Sequence, residues 1–152
     1  MAITIIGLPW SFAAFRIALY TLLPFGNEMR SRPDAGVLSI YVTHLTAWGS
    51  LNAKSRDKQL QCLAKHVRTS PFPYLLMGDL NAPQSAPEIA KFEKLDAAQL
   101  CGAEIKITHP RTKRRLDYIF ADYGWRVAGA HVVPGGVSDH YPLVAELFWS
   151  RS

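Results

Sequence analysis

Ser138-Asp139-His140-Tyr141-Pro142-Leu143 leads directly into the apolar run Leu143-Val144-Ala145-Glu146-Leu147-Phe148-Trp149. A short apolar run entered from a turn reads as a buried strand. An adjacent carboxylate and imidazole then stand at the mouth of that strand, carried by a rigid element. The chain repeats this arrangement. Leu38-Ser39-Ile40-Tyr41-Val42-Thr43 delivers His44, and Leu75-Leu76-Met77 delivers Gly78-Asp79-Leu80-Asn81. Leu116-Asp117-Tyr118-Ile119-Phe120 carries an acid inside its own strand. Apolar strands that each present a chemically competent residue at an end point to one convergent site, and the residue types suit phosphate cleavage.

Working outward, strands are expected at about 37–43, 73–78, 116–121 and 125–133, the last two flanking a turn at Asp122-Tyr123-Gly124. Pro134-Gly135-Gly136 turns the chain back toward Ser138. Leu60, Leu63, Ala64 and Val67 recur at helical spacing and predict an amphipathic helix over residues 53–67. Ser85 is placed to cap a second helix from Ala86, with Pro87 and Glu88 in its first turn, ending near Leu95. Residues 96–115 read as irregular. Strands outnumber helices and the helices lie between strands, so the expected fold is α+β, a layered α/β sandwich.

With 152 residues, 49% of them hydrophobic, the chain suffices for one domain with a real core. The reading divides it into an N-terminal segment, 1–36, and a domain, 37–152. Residues 26–36 are rich in turn formers and charge and read as a loop. Within 1–25, Trp10, Ala13, Ala14, Ile17, Ala18 and Leu22 can share one helical face, which suits a core or partner-contact segment. A cleaved or membrane-associated leader and a segment without settled structure are the alternatives. No base precedes Arg16, which disfavours a signal peptide, and Pro9 and Arg16 interrupt any spanning helix. Cys62 and Cys101 form no metal-ligand spacing and read as idle thiols of a reducing compartment, so the cytoplasm is the expected location.

The formal net charge of +5 suits an anionic partner, and part of it comes from Arg111-Thr112-Lys113-Arg114-Arg115. Cleaving a phosphodiester needs an activated water, a cation over the non-bridging oxygens and donors for the developing charge. His140 is the natural base, since imidazole titrates near neutrality. Asp117 can accept the other ring N–H and hold the tautomer. Asp139 offers a hard oxygen for Mg²⁺. Asp79 can position the water, Asn81 can donate to a phosphate oxygen, and His44, if protonated, adds a cationic donor. Arg111, Lys113, Arg114 and Arg115, with Lys54 and Arg56, can hold flanking phosphates. His66, His109 and His131 receive no functional reading. Each piece alone also fits a plain turn, cap or surface ion pair; the four together at strand termini do not.

Thr43-His44-Leu45, Gly78-Asp79-Leu80-Asn81, Arg115-Leu116-Asp117-Tyr118-Ile119-Phe120 and Ser138-Asp139-His140-Tyr141-Pro142-Leu143-Val144 resemble four successive motifs of the endonuclease/exonuclease/phosphatase (DNase I-like) superfamily. The resemblance covers residues 37–149. It implies an α/β/β/α sandwich with the site at one end of two packed sheets, and a phosphodiesterase that uses Mg²⁺, with Mn²⁺ plausible. It implies His140 as base or acid partner, Asp117 as its orienting carboxylate and Asp139 as a metal ligand. Asp79 and Asn81 would act on nucleophile, metal and phosphate, and His44 on the phosphoryl oxygens.

The departure lies in the first half. The family's N-terminal Asn and its principal acidic metal ligand have no counterpart in residues 1–36, where Glu28 and Asp34 lie in the loop. The chain resembles a C-terminal half, which leaves the sandwich incomplete or completed by a homodimer through a bare sheet face. The expected substrate is a phosphodiester, nucleic acid first, cleaved by an endonuclease or DNase activity that is reduced if the metal site is short of a carboxylate. The alternatives are a catalytically impaired binding module and a lipid-directed phosphodiesterase held at a membrane by residues 1–25.

Overall fold

The computed structural model describes residues 2–6, 38–47 and 50–149. Apolar alternation becomes strand at each stretch where it was read. The elements in chain order are β1 (Ala2–Ile6), β2 (Ser39–His44), α1 (Ser50–Arg68), β3 (Tyr74–Asp79), α2 (Ala97–Leu100), β4 (Asp117–Ala121), β5 (Trp125–Val132) and β6 (Leu143–Trp149). They form two three-stranded sheets, ordered β1-β6-β5 and β2-β3-β4. The first is antiparallel throughout. In the second, β2 and β3 are parallel while β3 and β4 are antiparallel. A parallel pair cannot be closed by a tight turn and needs a crossover. Helix α1 provides it.

The two faces of the β2-β3-β4 sheet explain the layers. Its strands alternate, so Leu76, Tyr118 and Phe120 point to one face and Leu75, Ile119 and Ala121 to the other. The first set packs with Leu60, Ala64 and Val67 of α1 and with Ile89 and Phe92. The second set packs with Trp125, Leu143, Ala145 and Leu147 of the other sheet. Helix, sheet and sheet therefore stack as successive layers of an α+β sandwich. Burying one such Leu or Phe side chain contributes about 1.5–3 kcal/mol, so both interfaces matter to stability.

Three expectations change. The helix read over Ala86–Leu95 is instead a succession of tight turns ending in a 3₁₀ turn at Glu93–Leu95. Ala86, Ile89, Phe92 and Leu95 each donate a backbone N–H three residues back, to Pro83, Ala86, Ile89 and Phe92. Pro87 cannot donate an N–H, and Ile89 and Phe92, three apart, reach the core from this tighter winding. The short helix α2 inside the nominally irregular 96–115 stretch is capped by Asp96, which accepts the Ala98 N–H at 3.2 Å. Residues 2–6, read as part of a segment outside the domain, are strand, paired with β6 in register from Ala2↔Phe148 to Ile6↔Val144. The remaining expectations for residues 7–37 lie outside the described residues.

On edge strand β2, Ile40 and Val42 share the face of their paired neighbours Leu75 and Met77, toward the second sheet, yet are 54% and 41% exposed. No described helix is long and apolar enough to cross a membrane.

Gly78 sits opposite Thr43 across the parallel pair, with φ at +138°. A Cβ there would collide with the Thr43 carbonyl oxygen. Gly78→Ala should therefore destabilise the protein by about 2–5 kcal/mol, from strain plus overpacking. Urea denaturation of the variant checks this, and an unchanged midpoint would contradict the tight β2–β3 packing.

Candidate active site

The register of the β2-β3-β4 sheet places three of the chemical residues in one row. His44 pairs with Asp79, and Asp79 pairs with Asp117. Directly opposite residues point to the same face, with Cβ atoms about 4.5–5.5 Å apart. His140 comes from the other sheet, on the segment leading into β6. Its Nδ1 lies 2.7 Å from Asp117 Oδ2. Its Nε2 lies 3.8 Å from Asp79 Oδ2, and His44 Nε2 lies 3.5 Å from the same oxygen. His44, Asp79, Asp117 and His140 are thus brought together as expected. Asp79 is 2% exposed, His140 is buried, and His44 opens to solvent.

Local backbone chemistry holds these groups. Asp79 Oδ1 accepts the Asn81 N–H at 2.8 Å, closing a turn in which Asn81 takes φ +50°, a conformation Asn tolerates better than most residues. The Asn81 Nδ2 donates to the Leu45 carbonyl at 2.9 Å. One amide hydrogen is therefore committed to the fold, and the side chain has its oxygen and second hydrogen to offer. The Ser138 Oγ accepts the His140 N–H at 3.1 Å, and the Ser138 hydroxyl lies 3.5 Å from Asp139 Oδ1. Tyr118 Oη donates to the Ala82 carbonyl at 2.9 Å, tying the turn after Asp79 to β4.

The electrostatics follow from crowding. Burial raises the Asp79 pKa and the nearby Asp117 carboxylate raises it further, against the Asn81 N–H and the His140 and His44 rings. For His140, burial opposes the charge. The Asp117 hydrogen bond and charge, then Asp79 and Asp139, outweigh it, and the pKa is raised.

Among the described residues, two groups have donor atoms within 4.8 Å of one another and could hold a metal: Asp79, Asp117 and His140, and His109, Asp139 and His140. A Mg²⁺ ion takes oxygen donors and retains several waters. Both groups contain carboxylate oxygens, those of Asp79 and Asp117 in the first and of Asp139 in the second, so donors of the kind a hydrated divalent cation takes are present.

The basic run divides. Arg115 is 4% exposed, its Nη2 bonded to Asp96 Oδ1 at 2.7 Å and its guanidinium 4.7 Å over the Tyr118 ring. It is a structural anchor, not the phosphate contact expected of it, because the core of β4 begins beside it. Arg111, Lys113 and Arg114 lie at the surface. Arg56 is likewise turned inward, 3.6 Å from Glu88, which removes it from the phosphate-holding set. His109, given no functional reading from its sequence, has its ring edge-on to that of His140 with centroids 4.6 Å apart. Its position eight residues before Asp117 in an irregular loop offers no periodic signal; proximity to the basic run was the only cue.

Comparison with known proteins follows the same lines. The family model described as the endonuclease/exonuclease/phosphatase family matches residues 8–140. No curated protein matches the chain significantly. Among solved structures, a functionally unknown conserved protein from Enterococcus faecalis is similar with a TM-score of 0.62 and 22% identity, over 73% of this chain and 50% of that one. The human Nocturnin catalytic domain with bound sulfate gives 0.59 and 24%, over 73% and 47%. An endonuclease/exonuclease/phosphatase from Beutenbergia cavernae gives 0.61 and 24%, over 78% and 37%. The chain spans half or less of the length of these structures, and the similarity at these identities is one of fold.

A pH dependence follows from the shifts. The raised His140 pKa stabilises the fold fully below the unfolded-state value of about 6.5, and that contribution is lost as pH rises through the higher folded-state value. Asp79 acts in the opposite sense, as a penalty that sets in above the unfolded carboxylate value of about 3.9 and grows through its raised folded-state pKa. With EDTA present, the stability advantage of the wild type over His140→Gln should shrink from pH 6 to pH 9. Urea titrations at three pH values measure it, and a constant difference would show that His140 gains nothing from its carboxylates.

Proposed function

Because the chain belongs to the endonuclease/exonuclease/phosphatase family, we propose that it is a divalent-metal-dependent phosphodiesterase, with Mg²⁺ (or Mn²⁺) as the cation and nucleic acid as the preferred substrate class. The observation that carries this reading is the His140–Asp117 couple, 2.7 Å apart, whose remaining ring nitrogen faces Asp79 and shares it with His44. A base oriented by one carboxylate and aimed at a second polar group is the arrangement that activating water requires.

In this reading Asp117 accepts the Nδ1–H of His140, which leaves the Nε2 lone pair to take a proton from water as the water oxygen bonds to phosphorus. Asp79 orients that water. The leaving oxygen departs and recovers a proton from the imidazolium or from solvent. His44 and the Asn81 amide are the donors for the phosphoryl oxygens. Asp139 and Asp79 are the residues that would hold the cation, which supplies neutralisation of charge on those oxygens when bound. Arg111, Lys113 and Arg114 are assigned to flanking phosphates, whose sequence-independent contacts position a nucleic acid.

The test is hydrolysis of bis-p-nitrophenyl phosphate and supercoiled plasmid with Mg²⁺, with EDTA and with His140→Ala. Cleavage should need the metal and fall by about 10²–10⁴-fold in the variant. Equal activity in the variant would refute the site. No cleavage by folded wild type would favour a binding module, the reading that the half-length match to its structural relatives also accommodates.

Replacing Lys113 and Arg114 together by Ala should weaken DNA binding and flatten its salt dependence by about two phosphate contacts. Fluorescence anisotropy across a range of salt concentrations reads that slope directly, and an unchanged slope would remove these residues from the substrate path.

A further inference from the structure

His109 lies on a loop that the fold clamps to both halves of the catalytic couple. Thr108 is fully buried, and its hydroxyl accepts the Leu116 and Asp117 N–H groups at 3.0 and 3.1 Å. Its carbonyl accepts the Tyr141 N–H at 2.7 Å. One residue thus ties the loop to the strand bearing Asp117 and to the segment bearing His140. His109 itself exchanges backbone hydrogen bonds with Arg114, at 2.9 and 3.3 Å. Its half-buried ring stands perpendicular to that of His140, at 89°.

The ring's protonation follows from its neighbour. The Thr112 backbone N–H donates to His109 Nδ1 at 3.2 Å, with the Thr112 hydroxyl 2.9 Å from the same nitrogen. A backbone N–H can only donate, so Nδ1 presents its lone pair, and the neutral ring carries its proton on Nε2. This has two consequences. A metal at Nε2 would require the Nδ1–H tautomer and set two N–H groups against each other, so His109 is a poor ligand despite its place within 4.8 Å of Asp139 and His140 donor atoms. What it offers instead is a fixed donor beside the general base.

We propose that His109 is a substrate-contacting residue whose Nε2–H donates to a non-bridging oxygen of the bound phosphoryl group. The assignment rests on the reading of this site as a phosphodiesterase centre. No proton is transferred; the residue supplies a preorganised hydrogen bond from beside His140.

Two substitutions separate the donor from mere packing. His109→Phe keeps a ring against His140 and removes the N–H, whereas His109→Gln keeps an N–H and removes the ring. Calorimetric titration with inorganic phosphate at fixed Mg²⁺ should give near wild-type affinity for His109→Gln and a loss of roughly 10- to 100-fold for His109→Phe. The kcat/KM for bis-p-nitrophenyl phosphate should follow the same order. Wild-type affinity in His109→Phe, equal weakening in both variants, or no phosphate binding by the wild type would each overturn the proposal. The expected affinity pattern in a wild type that fails to hydrolyse the ester would uphold the His109 contact and refute the phosphodiesterase reading instead.

Discussion

The hydrogen bond between His140 Nδ1 and Asp117 Oδ2, 2.7 Å long, joins the two sheets. Asp117 opens β4 in one sheet, and His140 precedes β6 in the other. Their alignment is therefore set by how the sheets sit on one another, which depends on Leu75 and Ile119 packing with Leu143, Ala145 and Leu147. Close-packed interiors resist sliding by even a fraction of a side chain. The sandwich core thus sets the geometry of the site, because a shift of about 1 Å between layers would part the His140 ring from Asp117.

The same packing makes the site's charge balance costly. Asp79 and Asp117 stand side by side in the sheet, one of them almost wholly buried, and two ionised carboxylates so placed repel. Two imidazoles and the Asn81 N–H offset that repulsion. Asp79 is in this sense as structural as it is chemical, since it also closes the turn that presents Asn81.

Much of this was legible in the sequence. Strands β2, β3, β4, β5 and β6 fall within two residues of where apolar runs placed them, because burial on both faces or alternation between them leaves a direct pattern. His44, Asp79 and Asp117 could be grouped because they stand at neighbouring strand ends of one sheet, and His140 joins them from the sheet packed against it. What escaped depended on tertiary contact. Nothing local separates Arg115, buried against Asp96, from Arg114 beside it at the surface. The turns at 84–92 carry helical capping signals, yet their hydrogen bonds run three residues back. The pairing of residues 2–6 with β6 is non-local and leaves no trace in either strand alone.

The division of the basic run bears on how the site is built. Arg115 does not reach outward because its guanidinium is needed at Asp96, whose carboxylate also caps α2. That contact fixes one end of the 108–116 loop, and the bonds of Thr108 to Leu116, Asp117 and Tyr141 fix the other. A loop held at both ends presents its intervening residues in a defined direction at little further entropic cost. The buried arginine and the buried threonine thus do for the loop what the sheet does for Asp79 and Asp117. Asp79 and Asp117 rest on strands, His109 rests on a clamped loop, and His140 is where the two supports meet.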